Sequence, residues 1–183
     1  HHFVLGFEAF QNSDENTANE QQSLTRYYEQ LCQAIVENGN YAEALLQTAH
    51  AVYTVDLTND RLERVFFDAT AEEIKIEVHT PCSYTEYCRE RYNYVTDDTI
   101  ENYRIVDSSQ KLLRRFKTGS RQVTVEYRES GKDEPPIWLQ KTVLMSRDIV
   151  YDPKTDKEST VVHGIILFKN TSEFHEKEEK ENE

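Results

Sequence analysis

Scarcity narrows the function of this sequence first. Only 5 Gly and 4 Pro occur in 183 residues, which leaves no flexible or Pro-rich linker. There is no Gly-rich phosphate loop, no His-Glu-x-x-His and no Gly-x-Ser-x-Gly, so the commonest signatures of nucleotide, zinc-peptidase and serine-hydrolase chemistry are missing. No run approaches the roughly 18 apolar residues of a membrane-spanning helix. The three cysteines, Cys32, Cys82 and Cys88, form no paired framework, and a reducing cytoplasm is the expected location. Basic residues are outnumbered, 21 Lys and Arg against 34 Asp and Glu, for a net charge of -13. That charge repels phosphate backbones and anionic headgroups, so neither nucleic acid nor a membrane surface is an expected partner.

What is present reads as one globular core with long solvated elements: 37% of residues are hydrophobic and 30% charged. Residues 2–10 form a short apolar run, expected as a strand. Residues 13–37 lack Gly and Pro and read as a helix with a seam at Leu24, Tyr28, Leu31 and Ile35, ended by Asn38-Gly39-Asn40. Residues 41–50 read as a short helix. Tyr53, Val55 and Leu57 alternate with Thr54 and Asp56 before Thr58-Asn59-Asp60, so residues 51–68 form a hairpin. Residues 83–95 and 97–119 read as two helices, the second capped by Asp97 or Asp98 and stopped by Gly119. Strands follow at residues 121–130, 136–148 and 161–170, with a long loop expected over 149–160. Strands at both ends and helices between them indicate an α+β fold with an antiparallel sheet.

Two phrases repeat. Phe10-Gln-Asn-Ser-Asp-Glu15 and Phe168-Lys-Asn-Thr-Ser-Glu173 align without a gap, each closing an apolar run and opening a Glu-rich one. Two strands, a helical segment and three strands over residues 40–173 resemble a PAS domain. The phrases that carry the resemblance are Val52–Val65 as first hairpin, Ser130–Val143 with Gly131 and Trp138, and the closing Lys169–Glu173. Asn170 stands where the family usually has Asp, so an ion pair made by that Asp is missing, although Asn still suits the start of a helix.

The resemblance implies a five-stranded antiparallel sheet with helices on one face, preceded here by the long N-terminal helix. The organisation expected is the last strand of a preceding repeat (1–12), a connector helix (13–39), the PAS domain (40–171) and the start of an output helix (172–183). The chain is thus expected to belong to a longer protein.

The function implied is a cytoplasmic sensor or dimerisation module, not itself an enzyme. It would relay a signal through flanking helices to a covalently linked effector, a histidine kinase or diguanylate cyclase. Homodimerisation and a small-molecule ligand are both compatible with it. Tyr53, Val55, Tyr103, Trp138 and His163 are the candidate pocket residues, and Leu24, Leu31 and Asn170 the candidate relay residues. Two alternatives stand beside this. One is a small-molecule enzyme on a curved α+β sheet, using Asp56, His163 and Tyr103. The other is a structural PAS spacer with no ligand.

The cofactor is unknown. Light-sensing PAS domains carry Asn-Cys-Arg-Phe-Leu-Gln; here Cys88-Arg89 match, but Tyr87, Glu90, Arg91 and Tyr92 replace the rest, so flavin is not expected. His50, His79 and His163 have no haem-type spacing. His79, Cys82 and Cys88 lack a fourth ligand and the spacing of a zinc knuckle, so no metal site is expected. The tyrosines of residues 84–103 are expected to pack as core.

Overall fold

The computed structural model describes residues 49–67, 78–131, 135–152 and 156–181. The N-terminal strand, the long helix, the Leu24 and Leu31 seam and the first copy of the repeated phrase lie outside these residues.

The fold is α+β. A six-stranded antiparallel sheet runs in the order β3-β2-β1-β6-β5-β4. β1 (Ala51–Asp56) and β2 (Arg61–Phe67) form the expected hairpin, and its turn ends on Asp60 with φ of 53°, a left-handed conformation that Asp tolerates. The expected count of five strands becomes six because Cys82 and Ser83 form a short β3 against Leu62 and Arg61. Three helices follow: α1 (Tyr84–Arg91), α2 (Ile100–Tyr103) and α3 (Ser109–Lys117). β4 (Gln122–Glu129), β5 (Ile137–Asp152), β6 (Lys157–Asn170) and α4 (Ser172–Glu181) complete the described chain.

The single helix expected over residues 97–119 is broken in two. Ser108 is extended (φ -157°, ψ 148°) and its hydroxyl accepts from the Lys111 N–H, which starts α3 afresh. Asp97 and Asp98 do not cap α2. Its N-cap is Thr99, and Asp98 instead pairs with Arg128. Gly119 does end α3: at φ of 102° its N–H reaches Phe116 O and the Ser120 N–H reaches Arg115 O, the paired bonds of a Schellman ending.

The loop expected at 149–160 is mostly ribbon. β5 and β6 stay paired out to Asp152 and Lys157, beyond where β1 and β4 stop. Ile149, Val150 and Tyr151 are exposed there, because only these two strands extend that far.

Period-two alternation decides the core. Ala51, Phe168, Lys141 and Val125 lie in one cross-strand row, and Tyr53, Ile166, Val143 and Val123 in the next. Both rows are buried and belong to the main core, which also takes in Tyr84, Tyr87 and Cys88 of α1, Tyr103 of α2 and Leu112 of α3. Each fully buried Leu or Ile contributes about 1.5–3 kcal/mol. Val52, Leu144 and Ile165 occupy the alternate positions and form a smaller cluster with Ala49 on the other face.

Candidate functional site

The buried space between the sheet and the helices holds charge. Lys141 is fully buried in the first half of β5, between Phe168 and Val125 in its row. Its ammonium group sits 5.2 Å from the centre of the Tyr84 ring, 5.1 Å from Tyr103 and 5.6 Å from Phe168. Three aromatic faces at that range offset part of the cost of removing a cation from water. Its hydrogen-bond acceptor among the described residues is the Cys88 sulfur, 3.8 Å away. Burial pushes the Lys141 pKa down.

Nearby, Arg91 of α1 and Glu129 of β4 make a bidentate ion pair, with side chains 4% and 0% exposed. Burial pushes the Glu129 carboxyl up, against the pull of Arg91. Four tyrosines surround these charges. The Tyr84 hydroxyl donates to Val106 O (2.7 Å), Tyr103 to Cys88 O (3.1 Å) and Tyr87 to the Tyr53 hydroxyl (3.0 Å). Tyr127 packs edge-on against Tyr103 at 4.9 Å. Burial raises all four phenol pKa values well above the ordinary one, so each stays a neutral phenol at physiological pH.

Asp60 joins the hairpin turn to two helix starts. Its carboxylate accepts from Ser83 Oγ (2.6 Å), Thr85 N (3.1 Å), Thr85 Oγ1 (2.6 Å) and Ser109 Oγ (2.6 Å). Partial burial pushes its pKa up, but these bonds outweigh it and hold the carboxyl below its ordinary value.

The second polar centre lies where β6 becomes α4. The Asn170 side chain accepts from Ser172 N (3.0 Å) in an Asx turn that aims the helix. Ser172 Oγ accepts from Trp138 N (2.9 Å), and Thr171 N donates to Trp138 O (2.9 Å). Thr171 Oγ1 donates to Glu126 (2.7 Å), and His175 stacks on Trp138 at 4.1 Å with Nε2 3.4 Å from Glu126. On the other side, the Asn170 N–H donates to His50 Nδ1 (3.0 Å), while the His50 N–H donates to Phe168 O (2.7 Å). A groove of about 440 Å³ opens here, lined by Gln140, Lys169, Asn170, Phe174 and their neighbours.

Of the candidate pocket residues, Tyr53, Val55 and Tyr103 come together in the main core. Trp138 and His163 do not join them: Trp138 lies under α4, and His163 pairs with Asp56 across β1 and β6, out of phase with the core positions. Asp56 and His163 are therefore neighbours, but Asp56 accepts two bonds from Asn59 and Tyr103 belongs to the core on the other face. Among the described residues no group of three or more His, Cys, Asp or Glu is placed to hold a metal ion. His79 is exposed and Cys82 half-buried, whereas Cys88 is fully buried. No described helix is long and apolar enough to cross a membrane.

Sequence reasoning missed Lys141, Arg91, Glu129 and Asp60. For two of them a signal existed. Lys141 is in phase with Leu139 and Val143, and Glu129 with Val123, Val125 and Tyr127, so each puts a charge at a core position of its strand.

No family model matches the chain, and no curated protein matches it. The fold and site define an antiparallel α+β domain with a charged, tyrosine-lined core and a terminal helix anchored to its sheet.

Proposed function

We propose that the chain is a PAS-like sensor or dimerisation module that passes a signal through α4 to a covalently linked effector, a histidine kinase or diguanylate cyclase, in the cytoplasm. One observation carries this reading: the central strand β6 runs into α4 through a junction bonded to β4, β5 and the residue preceding β1. A change in sheet packing alters those bonds, and a helix so anchored turns with the sheet. The order of elements, with two strands, helices and three strands, also supports it. The charged core is where an input would act, because a small change of charge or contact there is amplified by the low dielectric.

The test is a fusion in which this chain replaces the sensor of a histidine kinase, joined through α4 in helical register. Asn170→Ala and Trp138→Ala should change autophosphorylation several-fold, while the exposed Arg89→Ala should not. Equal output from all four proteins would end the relay reading.

A further inference from the structure

Among the described residues, two basic side chains, Arg91 and Lys141, and one carboxylate, Glu129, share the buried space around α1, β4 and β5. Arg91 pairs with Glu129, and Lys141 donates to the Cys88 sulfur. Cys88 and Lys141 are each 0% exposed, and no carboxylate accepts from the ammonium group among the described residues. The amine nitrogen and the thiol sulfur thus face each other across 3.8 Å in this space. Packing alone does not account for the arrangement, since a methionine would fill similar space without desolvating an amine.

We propose that Cys88 and Lys141 form a peroxide-driven, reversible covalent cross-link, a sulfenamide. In the first step the Cys88 sulfur attacks hydrogen peroxide: the S–O bond forms, the O–O bond breaks, and the leaving hydroxide takes the thiol proton and departs as water. Sulfur is oxidised to the sulfenic acid, and peroxide is reduced to water. In the second step the neutral Lys141 amine attacks that sulfur. The S–N bond forms, the S–O bond breaks, and the hydroxyl leaves as water with a proton from the amine. The net change is one peroxide consumed, two waters released and two hydrogens lost from the protein. A thiol reductant reverses it by attack on sulfur. The aromatic faces of Tyr84, Tyr103 and Phe168 hold the amine beside the sulfur. The bond would tie α1 to β5 of the sheet. It goes beyond the relay reading, because it forms or fails whatever α4 is joined to.

The experiment treats folded protein with hydrogen peroxide, blocks free thiols by alkylation, digests the protein and maps the peptides by mass spectrometry. The expected product is one pair joining Cys88 to Lys141, lighter by two hydrogens than its separate peptides and lost on thiol reduction. Lys141→Met, and Lys141→Gln as a second variant, should lose the cross-link completely. In whichever variant keeps the native circular dichroism, Cys88 sulfenic acid should accumulate and label with dimedone, several-fold above wild type. A Cys82–Cys88 disulfide, a sulfinic acid at Cys88 beside unmodified Lys141, or an unreacted Cys88 would each overturn the proposal.

Discussion

The guanidinium of Arg91 grips the carboxylate of Glu129 from one helix to one strand end, with Nε 3.1 Å from Oε1 and a terminal nitrogen on Oε2. Both side chains are buried, so each needs the other. Arg91→Met or Glu129→Leu should cost about 3–5 kcal/mol, because the partner is left charged and dry. Arg91→Met with Glu129→Leu should be far less damaging than the two single changes summed. Urea unfolding of the four proteins checks this, and simple additivity would show that the pair is not coupled.

Asp60 predicts an acid sensitivity. Its folded pKa is below the ordinary value of 3.8, so the folded state binds this proton less readily than the unfolded chain. Its contribution is present above that value and is lost as the pH falls through the folded pKa. Asp60→Asn, which still tolerates the left-handed turn, should lose about 1–3 kcal/mol at neutral pH. The gap from wild type should shrink as the pH falls below 3.8, read from urea midpoints across that range.

Lys141 predicts a slope of the same sign at the alkaline end. Its folded pKa lies below 10.5, so from the folded pKa up to that value the unfolded chain holds more protons. Stability attributable to Lys141 therefore rises with pH across that window. Lys141→Met should remove that rise. A wild-type minus variant difference that stays flat to pH 10.5 would show that the amine is not desolvated.

Trp138 is the single tryptophan, and its indole stacks on His175, so its emission reports the seating of α4. His175→Ala should brighten that emission by removing a contact quencher. Asn170→Ala removes the Asx turn and should shift the emission to the red as α4 loosens from the sheet. Unchanged spectra in both variants would mean that the junction does not hold the helix.

The hairpin of β1 and β2, the alternation of β4 and the stop at Gly119 were legible because each rests on neighbours in sequence: an Asn/Asp turn, a period of two, a left-handed glycine. The break before α3 was legible in principle, since Ser108 is a strong N-cap residue, but it was hidden by the apolar spacing that runs through it. The short β3 and the long β5–β6 ribbon were not, because two residues beside Leu62, or a turn-rich stretch that pairs with itself, acquire strand character only from a partner. The site was less legible than the fold. Trp138 and His163 looked like pocket residues by type, yet residue type does not say which side of a sheet faces the helices.

Local pattern thus decided the α+β class, most strand positions and the acidic surface that disfavours polyanions, since periodicity and charge survive without any knowledge of neighbours. Tertiary packing alone put Lys141 against Cys88, paired Arg91 with Glu129 and fastened Asn170 to His50. Those contacts join residues far apart in the chain, and their energy comes from the dry space that exists only once the sheet and helices have closed around it.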